Sequence, residues 1–306
     1  MSKRIIFMGT PEFSVPTLEC LIKAQYKVLA VYSQPPKKAH RGQKINSSAV
    51  EDFARKNSLI VRTPKTLDLD EEYNFMKKLN PDIVIVVAYG KIIPKRFLNL
   101  SKQGFINVHA SLLPKWRGAA PIQRSIMNLD TETGISIMKI NEELDAGPIM
   151  HQSKININHN MDSKTLSEIL SKLGAKTLIT AMKKIVNNEI KFEEQNHSEA
   201  TYAKKINKYE GRIKWNESAK KILAKINGLN PNPGVWFEYK NERYKVWKAK
   251  IVKSKGKVGF TINDELTIAC GEDSIQILEI QKEGKSKLSL DKFLLGNEIK
   301  TGENII

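Results

Sequence analysis

Arg4-Ile-Ile-Phe-Met-Gly-Thr-Pro11 reads as a short apolar strand that ends in a turn, because Gly9 and Pro11 break the run. Two more runs, Lys27–Tyr32 and Ile83–Ala88, are rich in β-branched residues. Their near-continuous apolar character suits strands buried on both faces of a parallel sheet. Between them, residues 12–24 and 68–79 carry helical patterning, and Asn80-Pro81 stops the second helix. Strands are expected again at Phe105–Val108 and Gly134–Ile140. This alternation implies an α/β fold with a mainly parallel sheet. A site in such a fold lies at the carboxyl ends of the strands.

Further along, Leu166, Ile169, Leu170, Leu173, Leu178, Ile179, Met182, Ile185 and Val186 keep helical spacing, with Asp162 or Ser163 as the cap. Residues 187–209 are polar and broken and read as a linker. Asn216 is expected to cap a helix with Ala219, Ile222, Leu223 and Ile226 inward, stopped by Gly228, with Lys220, Lys221 and Lys225 opposite. Leu266, Ile268 and Cys270, then Ile275 and Ile277, alternate at period two, which suggests a small β-barrel. A chain of 306 residues matches two domains at roughly 150 residues each. The expected division is 1–189, a linker at 190–209, and 210–306.

Fifty Lys and Arg against 33 Asp and Glu leave a net charge of +17. Residues 204–257 hold 16 basic and four acidic residues, whereas 258–306 hold five and nine. A second basic cluster is Lys37, Lys38, Arg41 and Lys44. Such a field attracts phosphate polymers; the plain alternative is a solvated lysine surface. Mean hydropathy is −0.38, and no apolar stretch approaches the ~20 residues that span a bilayer. No charged-then-apolar leader opens the sequence, so a soluble, cytoplasmic protein is expected. Cys20 and Cys270 are far apart and lack metal-ligand spacing, which argues against a disulfide scaffold or a cysteine-built zinc site.

Gly9-Thr-Pro-Glu12 has one glycine where a dinucleotide fingerprint needs three, so no NAD site is expected. Neither a phosphate-binding Walker loop nor a metal-binding histidine pair is present. The dense region is Asn107-Val-His109-Ala-Ser-Leu-Leu-Pro-Lys-Trp-Arg-Gly-Ala-Ala-Pro121. Asn107 and His109, two apart at a strand end, point to one side. Acyl transfer to an amine needs an oxyanion donor and a proton-managing group, and this pair can supply both. A strand-end histidine bonded to backbone is the structural alternative. Asp145, in Glu142-Glu143-Leu-Asp-Ala-Gly-Pro148, reads either as an Asx-turn residue or as a carboxylate that orients His109.

FMGTPEFS (Phe7–Ser14), HASLLPKWRGAAPIQ (His109–Gln123) and LDAGP (Leu144–Pro148) resemble the methionyl-tRNA formyltransferases over nearly the whole chain. The likeness extends to the Lys205–Trp215 junction and to Leu229–Trp236. It implies a Rossmann-like catalytic domain followed by an OB-like tRNA-binding domain. It further implies a catalytic set of Asn107, His109 and Asp145, and a tetrahydrofolate site lined by Ser111, Leu112, Leu113 and Pro114. Ala88, Tyr89 and Gly90 would lie near the pterin. The loop with Arg41 and Lys44 matches the basic loop that approaches the tRNA acceptor stem. The implied formyl donor is 10-formyltetrahydrofolate, the partner initiator methionyl-tRNA, with no metal and a monomeric enzyme. Two departures stand out: Gln43 precedes Lys44 where two basic residues are usual, and Asn232 replaces a common tryptophan. The alternatives are another folate-dependent formyltransferase and a non-catalytic RNA-binding protein.

Overall fold

The computed structural model describes residues 3–39, 44–158, 160–187, 189–297 and 299–305. In chain order the first part forms β1 (Arg4–Gly9), α1 (Val15–Lys23), β2 (Lys27–Tyr32), β3 (Lys37–Ala39), β4 (Lys44–Asn46), α2 (Ala49–Lys56), β5 (Val61–Arg62), α3 (Asp70–Leu79) and β6 (Ile83–Val87). There follow β7 (Phe105–His109), β8 (Arg117–Gly118), α4 (Pro121–Met127), β9 (Glu132–Lys139), β10 (Ile149–Asn156) and α5 (Ser163–Val186).

One sheet has the order β10-β9-β7-β6-β1-β2-β5. Pairing from β5 through β2, β1 and β6 to β7 is parallel, while β9 runs antiparallel to β7. All five residues of β6 are buried, as expected of a central strand covered on both faces. A core of Ile6, Met8, Tyr32, Val84, Phe97 and Phe105 packs on one side of the sheet. Asp162 caps α5 by accepting from the Thr165 amide at 2.8 Å.

The remainder forms β11 (Tyr202–Ala203), α6 (Ala219–Leu229), β12 (Val235–Tyr239), β13 (Glu242–Val252), β14 (Thr261–Asn263), β15 (Thr267–Ala269), β16 (Ser274–Lys282), β17 (Leu288–Ser289) and α7 (Leu290–Leu294). Strands β12-β13-β16-β15-β14 make an antiparallel sheet, with β17 added to β16. Its inward period-two positions, Leu266, Ile268, Ile275 and Ile277, join Trp215, Ile222 and Phe237 in one core. Two compact units result. One comprises 1–118, 133–155 and 167–202; the other comprises 119–132, 156–166 and 203–306.

Three details of α6 differ from the sequence reading. Ser218, not Asn216, is its cap, accepting from the Lys221 amide. The helix continues through Gly228 to Leu229 and ends where Asn230-Pro231 removes the next donor. Gly228 instead permits close packing on α4, since a Cβ there would sit 2.7 Å from Met127 Cγ. Lys225 does not join the exposed lysines; its side chain is 13% exposed and its Nζ lies 3.4 Å from Glu217.

Candidate active site

The end of β7 places Asn107 and His109 on one side, and Asp145, in the turn between β9 and β10, meets both. Asn107 Nδ2 donates to Asp145 Oδ1 at 3.4 Å. His109 Nδ1 faces Asp145 Oδ2 at 3.7 Å, beyond direct hydrogen-bond range. The second tie on that oxygen is the Gly118 amide, which donates to Oδ2 at 2.8 Å. His109 Nε2 sits 2.9 Å from the Trp116 carbonyl, which can only accept, so Nε2 carries a proton. Nδ1 is therefore the nitrogen left to face the carboxylate. His109 is thus bonded to backbone through Nε2, as the structural alternative has it, and faces the Asp145 carboxylate through Nδ1. His109 is 6% exposed and the Asp145 side chain 17%, so this contact is shielded from bulk water.

Backbone strain gathers at the same place. Trp116 (φ +64°), Gly118 (φ +115°) and Asp145 (φ +49°) occupy positive φ, as do Ala88 (φ +45°) and Gly90 (φ +76°) beyond β6. Non-glycine residues hold such angles only where surrounding structure enforces them, and they cluster at functional sites. Asp145 is no Asx-turn residue, since its carboxylate bonds across the fold to Gly118.

The SLLP segment is pinned from within. Ser111 and Leu113 are buried; Ser111 Oγ donates to the Lys115 carbonyl, and Ser136 Oγ donates to the Ser111 carbonyl. Gln152 Nε2 donates to the Leu113 carbonyl at 3.0 Å. Only Leu112 and Pro114 are partly exposed, so these two offer side chains and the others shape the loop. At the end of β6, Ala88 and Gly90 are exposed while Tyr89 is buried. Thr10 and Gln34 donate to the Tyr89 carbonyl, and Gln34 also to that of Gly90. Lys91 donates to the Pro64 and Lys65 carbonyls at 2.6 Å; burial, aided by Lys37, holds its ammonium below the ordinary lysine range.

Arg41 lies outside the described residues. Lys44 begins β4, its backbone paired with Ala39 of β3. Among the described residues no group of three His, Cys, Asp or Glu could hold a metal ion, and no helix is long and apolar enough to cross a membrane.

Sequence reasoning missed four contributors: the Trp116 carbonyl, the Gly118 amide, and the side chains of Arg117 and Gln195. The first two are backbone groups with no side-chain signature. Arg117 stands in the W-R-G stretch quoted above, whereas nothing in the polar segment around Gln195 marks it.

The chain matches the family model described as formyl transferase over residues 3–182, and that of the formyl transferase C-terminal domain over 205–298. It is 52% identical to a methionyl-tRNA formyltransferase of Pelagibacter ubique, covering 100% of this chain and 99% of the relative. It is 41% identical to that of Bradyrhizobium diazoefficiens, with 99% of each covered. Among solved structures, an N-formyltransferase of Helicobacter canadensis with folinic acid and dTDP-3-aminofucose has the same fold (TM-score 0.68, 22% identity, 90% of this chain and 99% of that one). HypX of Aquifex aeolicus with tetrahydrofolic acid aligns at TM-score 0.67 and 16% identity over 97% of this chain, which spans about half (48%) of HypX. The chain belongs to the methionyl-tRNA formyltransferase family.

Proposed function

We propose that the chain transfers a formyl group from 10-formyltetrahydrofolate to the α-amine of methionine on initiator methionyl-tRNA, as a cytoplasmic monomer. The observation that carries this reading is the carboxylate of Asp145 gathering the Asn107 amide and the His109 imidazole at the end of β7. A reduced folate suits what surrounds them. The exposed backbone of Ala88 and Gly90, turned by positive φ, offers hydrogen-bonding groups to a flat heterocycle. Leu112 and Pro114 offer partly exposed apolar surface. When bound, 10-formyltetrahydrofolate supplies an electrophilic formyl carbon and an amine leaving group.

The chain's own residues do the rest. Asn107 Nδ2 has a second N–H besides the one turned to Asp145, free to stabilise negative charge developing on the formyl oxygen. His109 Nδ1 is turned to the carboxylate, and Trp116 fixes the ring through Nε2. Asp145 orients His109 and accepts the proton that the attacking amine loses; that proton passes on to the departing tetrahydrofolate nitrogen as its bond to the formyl carbon breaks. The exposed lysines of 204–257, Lys248, Lys250 and Lys253 among them, hold the tRNA backbone; the resemblance assigns Arg41 and Lys44 to its acceptor end.

The test is a formylation assay with 10-formyltetrahydrofolate and initiator or elongator methionyl-tRNA. Transfer to the initiator, and much less to the elongator, is the expected outcome. Transfer to neither tRNA, with formylation of an amino sugar nucleotide instead, would overturn the choice of acceptor.

A further inference from the structure

Residues 187–209 read as a linker in the sequence, yet residues 193–201 tie the two sides of the site together. Glu193 and Ile149 exchange both backbone hydrogen bonds, at 2.8 and 2.9 Å. Two residues on, Gln195 is 5% exposed. Its Nε2 donates to the carbonyls of Asp145 (2.9 Å) and Gly147 (2.7 Å). Its Oε1 accepts from Nε and Nη2 of Arg117, itself 2% exposed, at 3.0 and 2.7 Å. The same segment reaches His109 indirectly: Thr201 Oγ1 accepts from the Trp116 amide (2.9 Å), and the Thr201 carbonyl from the Arg117 amide (2.8 Å). Trp116 in turn presents the carbonyl that fixes His109 Nε2.

We propose that Glu193–Thr201 is a strap that positions Asp145 and His109, with Gln195 its decisive positioning residue; this rests on the reading of Asn107, His109 and Asp145 given above. A primary amide supplies two donors and a two-fold acceptor in one buried group, and all are used here. Glutamate can accept from Arg117 but cannot donate to the two carbonyls. Gln195→Glu therefore keeps one half of the strap and cuts the half that holds the Asp145 turn. Displacement of a catalytic group by ~1 Å can cost about 100-fold in rate.

The experiment compares steady-state formylation by wild type, Gln195→Glu, Asp145→Asn and the double variant, with thermal melting of each. Gln195→Glu is expected to lower kcat by about 10–100-fold while KM for both substrates stays within about threefold. In the Asp145→Asn background it should add less than about twofold, because it acts through that carboxylate. Wild-type kcat in Gln195→Glu, or a full multiplicative loss in the double variant, would overturn the strap. A fully active Asp145→Asn would instead sink the site assignment. If Gln195→Glu does not fold, Thr201→Val, which removes only the hydroxyl acceptor, takes its place. A lowered kcat with KM kept supports the strap, and an unchanged kcat overturns it.

Discussion

His109 is held by a carbonyl at one ring nitrogen and faces a carboxylate with the other. Nε2 is committed to Trp116, which leaves Nδ1 facing Asp145. Gly118 completes the arrangement: its N–H reaches Asp145 Oδ2 from a backbone at φ +115°, a region that disfavours any Cβ. Gly118→Ala should strain the backbone by about 1–3 kcal/mol. Its kcat should fall at least ~10-fold, the factor that 1.4 kcal/mol off transition-state stabilisation implies. Kinetics alongside a melting curve check this; wild-type turnover would mean that the amide is dispensable. Asn107 and His109 were legible as a pair because period two along a strand puts both on one side. That Asp145 meets them was not legible, since its turn lies 36 residues beyond His109 in the chain and is fixed by the Gly118 amide and the distant Gln195 side chain.

Elements were easiest to read where composition was extreme. The β-branched runs became β2 and β6 in the parallel sheet, and the helical spacing of 163–186 became α5. The hairpin β3–β4 and the short helices α2 and α4 have no counterpart in the sequence reading, although Ser48 caps α2, which buries Val50 and Ala54 on one face. Gly228 looked like a stop because glycine favours helix ends, but the need for close approach to α4 decided its role. Helix α4 also bears Arg124, whose guanidinium makes a two-pronged pair with Glu210 (2.6 and 3.1 Å). Arg124 first, then the Asn207 amide and the charge of Lys225, hold the Glu210 carboxyl below the usual range. A lowered folded-state pKa means stability that is present above the unfolded value, about 4.3, and lost as pH falls through the folded one. Wild type should therefore melt above Glu210→Gln at neutral pH, with the gap closing as pH falls below the unfolded value. The side chain is 32% exposed, so the gap should be modest. A gap that widens in acid would contradict the assigned direction.

For the whole molecule, net charge was legible at once and its use was not. The excess lies in 204–257, and the structure divides it. Lys225 is paired inside, and Lys245 is half-buried on the Pro231 carbonyl, with burial lowering its pKa. Lys248, Lys250 and Lys253 are exposed. If these three meet the tRNA backbone, replacing them with alanine should flatten the slope of log K against log salt by about 2–3, at 0.7–0.9 per phosphate. Filter binding across a salt series reads this for initiator and elongator tRNA alike, and an unchanged slope would leave the cluster as solvated surface. The two compact units interleave along the chain, with 119–132 and 156–166 joining 203–306, an exchange that no local pattern announces. The central claim is that Asn107, His109 and Asp145 together carry formyl transfer to initiator methionyl-tRNA. Its most direct measurement is the single-turnover formylation rate of Asn107→Ala, His109→Ala and Asp145→Ala beside wild type, each confirmed folded by melting. Losses of about 10²–10³ in every variant are predicted; near-normal rates in all three, with melting unchanged, would contradict the account.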